Sequence, residues 1–230
     1  MVNESQTVAN IVLEHSETAE VFQRHRIDFC CRGERSVEVA AHERGLEPGD
    51  LVGQLRRAIE DRQGAAGASA ADRNMKELST AALVDHIVGK HHAYLRKTLA
   101  FLVPLAKKVA RVHGDHNPKL VELRDAVDEL AETLLPHLDE EEEDLFPALR
   151  TTTGVATGDA ARRLASMLEE HLAVATLLER IRDASEDFTI PDWACGSYRT
   201  LFGELQAVER DTFTHVHLEN HVLKPRFEPA

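Results

Sequence analysis

Six residues of the chain have the types and the spacing of metal ligands. His137 and Glu141 stand four apart, as do His215 and Glu219, and a lone histidine precedes each pair, His92 before the first and His171 before the second. Residues four apart on a helix lie about 40° apart on one face, so each His-x-x-x-Glu pair can aim both side chains at one point. The spacing repeats: 79 residues separate His92 from His171, and 78 separate both His137 from His215 and Glu141 from Glu219. This is the pattern of a site built in two halves, each a histidine on one helix followed by His-x-x-x-Glu on the next. Imidazole and carboxylate suit first-row transition metals, and six ligands are too many for one tetrahedral zinc. At any single position, a core histidine bonded to its neighbours is the ordinary explanation. Two carboxylates and four imidazoles facing one interior are another matter, because buried charges cost several kcal/mol each unless paired, and a bound metal removes that cost. Helical bundle cores with such ligands hold dinuclear iron or manganese, and two metals bridged by Glu141 and Glu219 would use all six.

The elements that must position these residues are legible as apolar stripes. Val88, His92, Leu95, Leu99 and Leu102 mark a helix from about Glu77 to Val112. Leu123, Val127, Leu130, Leu134, His137, Glu141 and Leu145 mark a second, opened by Asn117 as N-cap and Pro118 and ending near Arg150. Leu164, Leu168, His171, Val174, Leu178 and Ile181 mark a third, from Gly158 to about Asp183. Leu201, Leu205, Val208, Thr212, His215, Glu219 and Val222 mark a fourth, with Pro191 in its first turn and Pro225 as its stop. Four long helices with short connections predict an up-and-down four-helix bundle. Pro136, one residue before His137, removes a backbone donor and predicts a kink there.

Upstream, four short helical patterns (around Val8–Glu14, Ala19–His25, Val37–Arg44 and Pro48–Glu60) predict a small helical domain. Between the two regions, the stretch RQGAAGASAADR has the composition of a connector. The expected limits are a first domain at 1–61, a linker at 62–74 and the bundle at 75–226. The remaining histidines fit the centre less well. His113 lies 21 residues beyond His92, about 30 Å along a helix at ~1.5 Å per residue, which suits a surface or helix-end position. His217 and His221 fall on another side of the fourth helix, and His86 and His91 flank the first stripe with solvent-facing or supporting roles. In the acidic run, Glu140, Glu142, Glu143 and Asp144 read as a mostly solvated face. Cys30 and Cys31 sit beside Arg32, ahead of a helix near Ser36, surroundings that favour thiolate; Cys195 reads as structural.

Composition agrees with an all-α protein: 43% hydrophobic residues supply a core, and 12 Gly and 8 Pro in 230 residues are few. Lys and Arg number 27 against 40 Asp and Glu, a net charge of −13, which argues against nucleic acid or an anionic membrane as partner. No apolar run approaches the roughly 20 residues of a membrane span, the start lacks a signal-peptide pattern, and three cysteines make no disulfide framework, so a cytoplasmic location is expected.

Together with Asp28-Phe29-Cys30-Cys31-Arg32-Gly33, the segments Asp85-His86-Ile87 through His92, Arg111-Val112-His113, His137-x-x-x-Glu141 with Leu145-Phe146-Pro147, Glu170-His171, and His215-x-x-Leu218-Glu219-Asn220 with Val222-Leu223 make the chain resemble the RIC (repair of iron centres) family of YtfE/ScdA-like proteins. The resemblance runs nearly end to end. It implies a haemerythrin-like bundle after a small helical ScdA-type N-terminal domain. It also implies a non-haem di-iron centre on His92, His137, His171 and His215, with Glu141 and Glu219 as bridging carboxylates beside an oxo or hydroxo bridge. The function it implies is repair of iron–sulfur clusters damaged by oxidative or nitrosative stress, by iron donation, with damaged or apo cluster proteins as partners and Cys30 and Cys31 as candidates for thiol or iron handling. Two further readings use the same centre: a nitric oxide reductase, and a module that binds nitric oxide or oxygen as a sensor. The assembly state stays open, a homodimer included. Lys224, His91 and Arg32 depart from the usual family pattern.

Overall fold

The computed structural model describes residues 2–64 and 75–229, and all their regular elements are helical apart from one isolated bridge between Thr7 and Ser36. The chain forms two compact units, Met1–Ser79 with Phe213–Arg226, and Thr80–Thr212 with Phe227–Ala230. No helix among the described residues is long and apolar enough to cross a membrane.

The first unit contains α1 (Val8–Glu14), α2 (Ala19–Arg24), α3 (Val37–Glu43) and α4 (Pro48–Gly64). Side-chain caps start two of them: Thr7 Oγ1 accepts from Asn10 N at 3.4 Å and Ser36 Oγ from Val39 N at 3.2 Å. Val8, Ile11, Phe22, Phe29, Val37, Leu51 and Leu55 are almost wholly buried and form its core, and Val216 joins them from the distant C-terminal segment. α4 continues to Gly64, so residues 62–64 of the expected linker are helical; residues 65–74 lie outside the described residues.

The second unit is the bundle. Its first helical path is α5 (Thr80–His86), a π-helical turn (Ile87–His92) and α6 (Ala93–His113). The second is α7 (Lys119–Glu140), a π turn (Glu141–Leu145) and α8 (Phe146–Thr151), the third is α9 (Gly158–Ala184), and α10 (Gly196–Leu218) supplies the fourth as far as Thr212, its last residues belonging to the first unit. Of the sequence stripes, only Val88 and Leu168 are merely half-buried; the rest face the core. The first path starts at Thr80 rather than Glu77, because Met75–Glu77 is a separate 3₁₀ turn. α10 starts at Gly196 rather than around Pro191, whose carbonyl instead closes a turn with Ala194 N at 3.0 Å. α7 runs unbroken across Pro136, and the change of helical geometry comes five residues later, at Glu141.

Candidate metal centre

Three of the six expected ligands sit where a helix changes pitch, while His137, His171 and His215 lie within α7, α9 and α10. His92 ends one π turn, Glu141 begins the second, and Glu219 begins a third, Glu219–Leu223, that continues α10. π turns are rare and concentrate at functional sites. The stripes explain why they are useful here: Val88 to His92, His137 to Glu141 to Leu145, and His215 to Glu219 are all four-residue steps. Such a step overshoots a 3.6-residue turn, and a wider turn absorbs the excess.

Within the second unit, His92, His137, Glu141 and His171 are all buried. His92 donates from Nδ1 to Glu142 Oε1 at 2.9 Å, and His137 from Nδ1 to Glu170 Oε2 at 2.7 Å. A neutral imidazole that gives its Nδ1 proton to a carboxylate presents a lone pair at Nε2, and such carboxylate partners commonly orient metal-binding histidines. Both Nε2 atoms point at Glu141: His92 Nε2 stands 3.5 Å from Oε2, and His137 Nε2 stands 3.5 Å from Oε1. Two donors held about 2.1 Å from one ion at angles of 90–110° are themselves roughly 3.0–3.4 Å apart, close to these separations. His137 Nε2 is buried and makes no hydrogen bond. The His171 ring meets the His137 ring edge-on at 5.1 Å, and ligand atoms of His137, Glu141 and His171 lie within 4.8 Å of one another. The donor set therefore fits a cation. The His92 ring also stacks on Phe146 at 5.7 Å, which fixes its plane.

The supporting carboxylates are tuned as this role requires. Burial pushes Glu142 upward, but hydrogen bonds from His92 and Arg96 outweigh it and hold the carboxyl below its ordinary range. The hydrogen bond from His137 lowers Glu170, against a smaller opposing effect of burial. A cavity of about 40 Å³ is lined by His137, Glu140, Glu141, Arg163 and Glu170 among others.

In the first unit, His215 and Glu219 are fully buried, and His215 Nε2 lies 2.8 Å from Glu219 Oε1. The same turns of chain bind the cysteine loop from another helix face. His217 Nδ1 donates to Phe29 O at 3.2 Å, and Asn220 Nδ2 and His221 Nε2 both donate to Cys30 O, at 3.0 and 2.8 Å. Burial, reinforced by neighbouring His221 and only partly opposed by the bond to Phe29, pushes His217 down to about 3, so it is a neutral donor. Cys30 departs from the thiolate expectation: it is 1% exposed, and burial, with the neighbouring Cys31 and Asp28, pushes its thiol well up. Cys31 is half-buried.

Sequence reasoning missed the supports. Glu142, in the run that reads as a mostly solvated face, accepts from His92. Glu170 belongs to the family segment Glu170-His171, but nothing in its local sequence marks it as the support of His137, which lies 33 residues away on another helix. Of the two roles left open for His91, solvent-facing or supporting, the first does not hold, since it is 1% exposed and donates to Asp211 Oδ1 at 3.0 Å. His113 does end α6, 3.2 Å from the exposed Cys195 sulfur.

Comparison with known proteins agrees with this geometry. The family model described as the hemerythrin HHE cation binding domain matches residues 83–227, and that of the ScdA N-terminal domain, described as of unknown function, matches residues 4–59. The iron-sulfur cluster repair protein ScdA of Staphylococcus haemolyticus is 31% identical over 99% of this chain and 100% of its own, and ScdA of Staphylococcus epidermidis is 31% identical over 97% and 98%. The iron-sulfur cluster repair protein YtfE of Yersinia pseudotuberculosis is 29% identical over 96% of each chain. The two family models in this order along the chain, and relatives 31% identical over nearly its whole length, place this chain in the ScdA/YtfE family of haemerythrin-like proteins.

Proposed function

We propose that the chain is an iron–sulfur cluster repair protein that carries a di-iron centre and gives iron to damaged cluster proteins. The observation that carries this reading is the pair of carboxylate-backed histidines, His92 and His137, whose Nε2 atoms address the two oxygens of one buried glutamate. With an imidazole facing each of its oxygens, Glu141 would hold an ion together with His92 and another together with His137. His171 joins the half on which His137 lies, and the repeated spacing of the sequence is what assigns His215 and Glu219 to the same proposed ligand set. When bound, the iron pair supplies redox chemistry and the iron itself.

The donor set also supports release. Four imidazoles and two shared carboxylates leave each iron few terminal protein ligands, and no thiolate is among them. Imidazole and carboxylate confer no large preference for ferrous iron, which stands low in the Irving–Williams order. Repair is also what the names of the ScdA and YtfE relatives describe.

The test is anaerobic reduction of the iron-loaded protein in the presence of an apo cluster protein and a chelator. About two irons per chain before reduction, and transfer to the acceptor afterwards, is the expected result. Loading with one zinc and no iron would overturn the di-iron reading. Retention of both irons while nitric oxide is consumed over many turnovers would replace donation by a reductase.

A further inference from the structure

We propose that Asp28, Cys30 and Cys31 form a second, thiolate-rich metal site for one thiophilic divalent cation, independent of the histidine–glutamate centre. Their ligand atoms lie within 4.8 Å of one another. Cys30 Sγ is 3.5 Å from Cys31 Sγ and 3.2 Å from Asp28 Oδ1. Two thiolates about 2.3 Å from one ion at near-tetrahedral angles stand roughly 3.5–3.8 Å apart, and a thiolate and a carboxylate oxygen on one ion roughly 3.2 Å or more. The three donors thus form one face of a coordination polyhedron with little rearrangement.

The loop is held in that shape by several contacts. Asp28 Oδ1 accepts from the backbone N–H groups of Cys30 and Cys31 at 3.0 and 2.8 Å, which folds the two cysteines back over the carboxylate. Asn220 and His221 both donate to Cys30 O, and His217 donates to Phe29 O. Gly33 closes the loop where a Cβ would lie 2.4 Å from Phe29 O and 2.6 Å from Ala9 Cβ, space that only glycine leaves clear. Two adjacent thiols are therefore fixed on a pinned backbone, one buried and one partly open to solvent. Buried Cys30 stays a thiol until a cation displaces its proton. On binding, two S–H bonds break, two metal–sulfur bonds form, and two protons pass to solvent. Mixed sulfur and oxygen donors select a borderline cation of the ferrous or zinc type over calcium or magnesium.

Cobalt(II) is the probe, because sulfur-to-cobalt charge-transfer absorption in the near ultraviolet arises only from bound thiolate and is blind to histidine and glutamate ligands. Titrated with cobalt to saturation, the full-length reduced chain should develop this absorption with the intensity of one two-thiolate site, whatever cobalt the histidine–glutamate centre also takes up, as should Cys195→Ser. Cys31→Ser should lose it, and Asp28→Asn, which keeps the turn, should bind roughly 10–100-fold more weakly. Since Cys30 is buried and its substitution can unfold the unit, alkylation of Cys31 in the unaltered protein provides a second reading: cobalt should slow it by roughly tenfold or more by masking the thiolate, and a chelator should restore it. Absence of the absorption, its persistence in Cys31→Ser, or an alkylation rate indifferent to cobalt would each overturn the proposal. Failure of the bundle to hold iron would leave all three readouts unchanged.

Discussion

Replacing Glu170 by Gln tests whether a supporting carboxylate, rather than the ligands alone, sets metal affinity. The variant keeps the shape of the side chain and an oxygen that can accept from His137 Nδ1, but removes the charge from a 2.7 Å bond. Losing such a partner typically weakens metal binding 10–100-fold, about 1.4–2.8 kcal/mol. Glu170 is 39% exposed, so solvent screens part of its effect and the lower end, roughly tenfold, is expected. Glu142 provides an internal comparison. It accepts from His92 at a longer 2.9 Å and is already partly neutralised by Arg96 at 3.0 Å, so Glu142→Gln should weaken binding less, by about threefold. Cobalt or ferrous titration against a competing chelator reads both affinities, and far-ultraviolet circular dichroism checks that neither variant has lost helix. Wild-type affinity in Glu170→Gln, or a larger loss in Glu142→Gln, would refute the argument that these carboxylates act through the imidazoles.

The other predictions concern stability. Glu141 is 2% exposed, and in the metal-free protein its charge is a burden; Glu141→Gln should leave apo melting unchanged or raised while abolishing the stabilisation that metal confers, as differential scanning calorimetry with and without iron would show. Gly33→Ala should cost about 1–3 kcal/mol in denaturant unfolding, from the clash with Phe29 O and Ala9 Cβ; an unaltered midpoint would show that the loop yields easily. Arg182 donates to both oxygens of Glu209, which is 3% exposed. Arg182→Ala should cost about 3–5 kcal/mol by stranding that carboxylate, and the paired change Arg182→Met with Glu209→Leu should recover most of it, measured by the same unfolding curves.

The sequence by itself determined the helices, their apolar stripes and the ligand-type residues on them, because helical periodicity is a local property: His137, Glu141 and Leu145 share a face whatever the rest of the chain does. It also revealed the two-halved pattern, since repeated spacing needs no coordinates. Tertiary structure alone decided what lies behind each ligand. Glu170 reaches His137 from 33 residues away and Glu142 reaches His92 from 50, and nothing in either glutamate's local sequence separates it from a solvated one. Packing also decided the π turns, which depend on where side chains must meet. The Cys30 thiol shows the same division. Its neighbours in sequence, Arg32 and a following helix, favour thiolate, but the fold buries it at 1% exposure under Asn220 and His221, and desolvation outweighs any charge that an exposed arginine can offer. Finally, α10 carries a second interior face, Phe213, Val216 and His217, that packs with the N-terminal helices. A single hydrophobic stripe can be read from spacing, but which of two faces meets which partner is settled only when distant segments compete for the same buried surface.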